Sequence, residues 1–176
     1  MAEIAVEALP PGGMVTLKTL PGEAALAAAL AGIGLAVPGR RRMLRAGEHA
    51  VLWMAPDEVL VLVPDAGAAI AAMAPALVGV HHLMADVSDA RAAFRIAGPR
   101  AREVLAKLCP VDLHPAAFAA GDLRRTRAGQ VVAALWAEAA DDFRLLCFRS
   151  VAGYVAELLA RSAEPAAAVG LFAPRP

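Results

Sequence analysis

The stretch HAVLWMAPDEVLVLV, residues 49–63, decides how the fold reads. Two apolar runs rich in β-formers meet at Pro56-Asp57, a pair suited to a tight turn. HAVLWMA and EVLVLV therefore read as the strands of a β-hairpin. The plan recurs at residues 131–148, where VVAALW and FRLLCF flank AEAADD, a second hairpin turn. Leu52-Trp53 then matches Leu135-Trp136, and Asp57 matches Asp142.

The neighbouring elements repeat in the same order. Before the first hairpin, MVTLKTL (14–20) reads as a strand, followed by Pro21-Gly22 and an alanine-rich helix from about Glu23. After it, Asp65 caps a helix that should falter near Pro75. Before the second hairpin, AAFRI (92–96) is a strand, and Pro99 sits at a helix start where a missing N–H costs nothing. Ala101, Val104, Leu105 and Leu108 form the apolar stripe of that helix, with Arg100, Arg102, Glu103 and Lys107 on its other side. After the second hairpin, Ser150 is placed as the N-cap of a helix carrying Val151, Tyr154, Val155, Leu158 and Leu159. The predicted fold is α+β, two strand-helix-strand-strand-helix units packed together, residues 14–88 and 89–163, with terminal tails at 1–13 and 164–176.

A chain of 176 residues and 18.1 kDa is large enough to bury a core as one domain or two small halves. Hydrophobic residues make up 59% and charged residues 19%, a poverty of charge that suits a permanent partner. The formal net charge of zero argues against nucleic acid as main ligand. The N-terminus carries Glu3 and Glu7 without a basic region, unlike a secretory signal. The longest apolar run, residues 24–38, is interrupted by Gly32 and Gly34 and is too short to span a membrane. Two cysteines fit a reducing cytosol, so a cytoplasmic protein with no membrane partner is expected.

Candidate chemistry is thin. CPVDLH (109–114) gathers a thiol, a carboxylate and an imidazole, but Cys109 lies at a helix C-terminus, where the dipole disfavours a thiolate. Pro110 ends that helix, and Asp112 and His114 alternate along an extended segment, so a structural helix exit is the better reading than a metal or nucleophile site. His81-His82 with Asp86 is a weak ligand set, because adjacent strand residues point to opposite faces; one buried and one exposed histidine is expected. Arg40, Arg41, Arg42 and Arg45 form a basic cluster, read as a solvated loop ahead of an anion site. Asp141-Asp142 are taken as turn residues, and GIG at 32–34 is an incomplete dinucleotide fingerprint. No active site can be assembled from the sequence.

VLWMAPDEVLVL (51–62) resembles the W-L-G-P-D-E-W-L signature of the gamma subunit of heterotetrameric sarcosine oxidase. DVSDARAAFRIAGPRAREVLAKLCPVDLHPAAFAAGDLRRTRAG (86–129) is similar to that family's D-V-S, G-P-R-A, C-P-x-D-L and F-x-x-G…T succession, and FRLLCFRSVAGYVAELL (143–159) to its S-x-A-x-Y helix. The positions that carry the resemblance are Trp53, Pro56, Asp57, Glu58, Asp86, Gly98, Pro99, Cys109, Pro110, Asp112, Leu113, Phe118, Gly121, Thr126, Ser150 and Tyr154. Ala55 and Val59 depart from it, standing where glycine and tryptophan are common.

The resemblance implies a fold like the N-terminal folate-binding-type domain of the aminomethyltransferases, and structural rather than catalytic, cofactor or metal roles for those positions. It implies a non-catalytic subunit of an oxidoreductase complex that converts sarcosine to glycine. FAD, FMN, NAD, tetrahydrofolate and zinc would be held by alpha, beta and delta partner subunits, and none by this chain. The alternative is a stand-alone folate-binding or aminomethyltransferase-like protein. Those enzymes are about twice as long and carry a third domain, and the iron-sulfur maintenance type carries a K-G-C-Y-x-G-Q motif that neither cysteine here matches.

Overall fold

A computed structural model describes residues 4–20 and 24–172, and the expected Pro21-Gly22 turn and Glu23 helix start lie outside the described residues. The chain forms two compact units. One is Pro11–Asp89, and the other joins Ala90–Pro176 to the N-terminal Met1–Pro10.

The first unit holds β2 (Gly13–Thr19), α1 (Ala24–Ala31), β3 (Met43–Ala46), β4 (His49–Ala55), β5 (Glu58–Val63), α2 (Ala66–Met73) and β6 (His82–Asp86). Its antiparallel sheet runs β3-β4-β5-β2-β6. The second unit holds β1 (Ala5–Ala8), β7 (Arg91–Ala97), α3 (Ala101–Leu108), β8 (Leu123–Ala128), β9 (Val131–Ala139), β10 (Asp142–Phe148) and α4 (Ala152–Ala163), with sheet order β1-β7-β10-β9-β8. The two orders are the same topology. β6, which follows its unit's helices, occupies the edge that β1 fills in the other sheet.

The repeat extends to the register. In the first hairpin Trp53 pairs with Val59 and Ala55 with Glu58, leaving Met54 as the extra residue of a bulge. In the second, Ala137 pairs with Phe143 and Ala139 with Asp142, leaving Glu138 extra. Leu52 is thus the counterpart of Trp136, and Asp57 of Asp141. The sequence match of Leu52-Trp53 to Leu135-Trp136 is out by one residue, because the second hairpin's arm is one residue longer between tryptophan and turn. Equivalent positions also make equivalent contacts. Thr16 donates its hydroxyl to Glu58 at 3.1 Å, and Arg95 donates to Asp142 at 3.1–3.3 Å.

Each sheet packs its helices on one face. Val15, Leu17, Val51, Val59, Val61 and Val63 meet Ala29, Leu30, Ala69 and Met73; Phe94, Ile96, Leu135, Phe143 and Leu145 meet Val104, Leu105, Val155 and Leu159. Residues of the opposite sheet faces, including Leu52, Leu60, Trp136 and Leu146, are also buried. Burial on both sides explains why EVLVLV is continuously apolar rather than alternating. Asp65 caps α2 as expected, accepting from Ala68 N–H at 3.0 Å, and Pro75 turns the chain into a 3-10 segment, Ala74–Leu77. No helix among the described residues is long and apolar enough to cross a membrane.

Several local expectations change. Arg45 lies in β3 rather than a loop, pairing with Ala50. Ser150 does not cap α4: the helix is entered through a 3-10 turn, Arg149–Val151, with no side-chain cap. Tyr154 is exposed, leaving Val155 and Leu159 as the buried stripe. Its hydroxyl crosses to the β8–β9 turn at Gly129, where an added Cβ would lie 2.8 Å from it and from Leu158 Cδ1; Gly129 also has φ +57°. Residues 5–8, expected in a tail, pair with β7 instead.

Candidate functional site

α3 carries the residues that organise the second unit's surface. Its apolar stripe holds Val104 and Leu105 in the core. Arg102 and Glu103 were expected on the wet side, yet both are buried, at 6% and 5% exposure. Burying a charge is costly unless it is hydrogen-bonded, and here both groups are. The Arg102 guanidinium donates to the carbonyls of Leu113 at 2.8 Å, Phe118 at 2.9 Å and Ala140 at 2.8 Å. It also lies over the Phe143 ring, 5.0 Å from the centroid. Burial lowers its pKa, partly offset by Asp141. Glu103 accepts from the N–H groups of Val169, Gly170 and Leu171 at 2.9–3.3 Å, with Arg100 at 3.6 Å. Burial pushes its carboxyl up, but those three N–H groups and Arg100 outweigh it, and the net shift is downward. Lys107 completes the clasp by donating to the carbonyls of Ser162 and Ala167.

This arrangement answers what CPVDLH does. Cys109 is the C-cap of α3, buried, with its N–H on Leu105 O at 2.8 Å, and burial pushes its thiol up to about 12. Asp112 accepts from His114 N–H at 2.9 Å, and His114 Nδ1 accepts from Ala116 N–H at 3.2 Å. Leu113 and Phe118 are buried, the latter stacked on Phe143 with centroids 6.2 Å apart. Pro110 is exposed. Carboxylate and imidazole are each engaged locally, and Cys109 belongs to the core while Asp112 and His114 lie exposed. Neither the sequence pattern nor the spacing flags Arg102, since an arginine beside a glutamate on a helix reads as a solvated pair.

Gly98 N–H donates to Asp141 O at 2.9 Å and Gly121 N–H to Ala137 O at 2.8 Å, so both glycines stitch turns to the second sheet; Pro99 leads into α3. Thr126 pairs with Ala133 in β8. Asp142 is not a turn residue but a strand residue held by Arg95 and Arg144. Burial raises its carboxyl, and the two guanidinium groups carry the net shift downward. Asp86 accepts from both N–H and hydroxyl of Ser88, which in turn accepts from Met14 N–H; the Ser88 bonds lower its pKa. His81 and His82 are both exposed, correcting the expectation that one is buried; His82 Nδ1 sits 2.8 Å from Val80 O. Among the described residues no group of histidine, cysteine and carboxylate side chains could hold a metal.

Trp53 is half-buried, its backbone N–H donating to Arg42 O at 3.0 Å, and Glu58 pairs with Lys18 at 3.4 Å. Pro56 and Asp57 line an open pocket of about 600 Å³ together with Lys18, Leu20, His81 and Leu83. Thr19 and His82, paired across β2 and β6, complete its walls; the Thr19 hydroxyl donates to Leu20 O at 3.3 Å, and His82 Nδ1 sits against Val80 O.

Residues 20–164 match the family model for the sarcosine oxidase gamma subunit. The gamma subunit of an Arthrobacter species is 35% identical over 124 residues, 69% of this chain and 61% of that protein; the one from Corynebacterium sp. strain P-1 is 32% identical over the same shares. The chain thus spans about three-fifths of the length of these curated relatives. A chain in the structure of heterotetrameric sarcosine oxidase from Corynebacterium sp. U-96, in complex with pyrrole 2-carboxylate, superposes with a TM-score of 0.87 at 26% identity, covering 94% of this chain and 86% of that one. The glycine cleavage system aminomethyltransferase T of Bartonella henselae shares the fold alone, with a TM-score of 0.65 at 14% identity over 89% of this chain and 45% of that one.

Proposed function

The chain belongs to the sarcosine oxidase gamma subunit family, and from that premise we propose that it is the non-catalytic subunit of a heterotetrameric sarcosine oxidase. It docks on and stabilises the alpha, beta and delta subunits, which carry FAD, FMN, NAD, tetrahydrofolate and zinc and oxidise the N-methyl group of sarcosine to give glycine in the cytoplasm. The observation that carries this reading is the superposition, over 94% of the chain, on a chain of a heterotetrameric sarcosine oxidase.

The chemistry of the candidate groups supports it. The Cys109 thiol, at about 12, is a poor nucleophile at neutral pH. The Arg102 guanidinium is buried and gives three of its five N–H donors to backbone carbonyls, which sets it to holding the chain. The motif positions serve architecture: Trp53, Pro56, Asp57 and Glu58 form the first hairpin end, Asp86 ties β6 to β2, and Gly98 through Thr126 build the Arg102-held loop.

The test is purification of the tagged chain from its native cell, followed by size exclusion with flavin absorbance recorded. Flavin-bearing, sarcosine-oxidising material of much larger mass co-eluting with it is expected. A colourless monomer, alongside a fully assembled and active oxidase that lacks it, refutes the reading.

A further inference from the structure

The second unit's sheet ends in a row of four side chains that its core does not use. Arg91 pairs with Phe148 across β7 and β10, and Arg127 with Val132 across β8 and β9. Cys147 lies opposite Ala133, so the next step of the antiparallel register sets Phe148 opposite Val132. Cys147 and Ala133 belong to the helix-covered core. Side chains alternate along a strand, so Phe148 and Val132 stand on the other face. They are 45% and 54% exposed. The Arg91 guanidinium lies over the Phe148 ring at 4.2 Å. Arg125 shares this face two residues before Arg127, and Arg149 directly follows Phe148; both are exposed.

We propose that this row is the docking surface for an acidic segment of a partner subunit, which sets carboxylates against the arginines and an apolar side chain over Phe148 and Val132. The inference rests on the subunit reading above and names the surface through which it operates. An apolar pair alone would accept any apolar partner. Here it is flanked by Arg91 and Arg127, with Arg125 and Arg149 beside them, in a chain of zero formal net charge. A cationic rim repels cationic surfaces and selects carboxylates. The guanidinium stacked on Phe148 presents that ring in a fixed pose, and arginine and aromatic side chains are the types enriched where interfaces are tightest. A second copy of the same face would set arginine against arginine, which disfavours self-pairing there. A polyphosphate would leave the central apolar pair uncovered.

The experiment repeats the co-purification from the native cell with full-length Arg127→Glu and Phe148→Ser. Arg161→Glu is the control, the same charge change on an exposed position of α4. Wild type and Arg161→Glu are expected to recover equal amounts of flavin-bearing complex, and the two patch variants about tenfold less or lower. Arg127→Lys, which keeps the charge, restores most of the recovery. Melting curves of the purified variants match wild type, since both positions are exposed. Patch variants that assemble like wild type overturn the inference and leave the subunit reading standing. Loss of a self-dimer, or of binding to anionic vesicles or DNA, with assembly unchanged, overturns it too. If wild type itself recovers no flavin, the subunit reading fails and the inference falls with it.

Discussion

Replacing Arg102 with methionine, which keeps an unbranched stem, removes the donor for three carbonyls at 2.8, 2.9 and 2.8 Å. A buried acceptor left without a partner costs about 1–3 kcal/mol, so three set a range of about 3–9. Two effects push toward the lower end. Removing the guanidinium returns its own dehydration cost, the same burial that lowers its pKa. Residues 114–117 are exposed, so water reaches the Leu113 and Phe118 carbonyls after a small loop shift. The expected loss is about 3–4 kcal/mol, near what breaking a buried charged network costs. For a chain of this size that lowers Tm by roughly 10 °C. Urea titration gives the energy, and amide exchange at residues 109–122 locates it, with faster exchange confined to the loop before the core is affected. Arg102→Lys recovers less than half, because one ammonium cannot fork to three carbonyls. A loss below about 1 kcal/mol with unchanged loop exchange refutes the idea that Arg102 holds this segment.

Glu103→Gln should free the C-terminal segment, with protease cutting between residues 164 and 172 faster at neutral pH than in wild type. In wild type the carboxyl's folded pKa lies below its unfolded value. Its contribution is therefore complete above about pH 4.5 and is lost as pH falls through the folded value; acid titration of that cutting rate gives the check. Cys109 and Cys147 are both buried with thiol pKa values raised by burial. A thiol reagent at pH 8 should label neither in the folded chain and both in denaturant. Gly129→Ala should cost about 1–2 kcal/mol by denaturant titration, mostly from the φ of +57°, since the Leu158 and Tyr154 atoms it meets are side-chain ends able to shift.

The hairpins were legible because their signal is local: a turn pair between apolar β-formers needs no tertiary information. The edge strands were not. Residues 5–8, AVEA, and 43–46, MLRA, are short and weakly patterned, and they become strands only because a neighbouring strand offers a ladder. The one-residue offset between Trp53 and Trp136 escaped for the same reason. A bulge is a property of two paired strands, so matching letters along the chain aligned the tryptophans rather than the registers. Ser150 shows a different failure: a good capping residue is one way into a helix, and α4 uses a 3-10 turn instead.

The neighbouring residues Arg102 and Glu103 show why CPVDLH invites a catalytic reading and resists it. α3 is only eight residues long, yet one of its side chains gathers the carbonyls of an irregular loop and the next gathers the N–H groups of the C-terminal segment. Loops of that kind carry backbone groups that neither helix nor sheet satisfies. A guanidinium, with donors only, suits a cluster of carbonyls, and a carboxylate, with acceptors only, suits a run of N–H groups. Arg102 and Glu103 are thereby spent on shape. Asp112 and His114 do the same on a smaller scale within the loop. A surface made of irregular segments, fixed from within by charge, keeps one form when a partner binds and loses little entropy on docking. Under the proposed scaffold role that rigidity is what the chain offers a complex, and it makes loop exchange in Arg102→Met and recovery of flavin-bearing material two readings of one property.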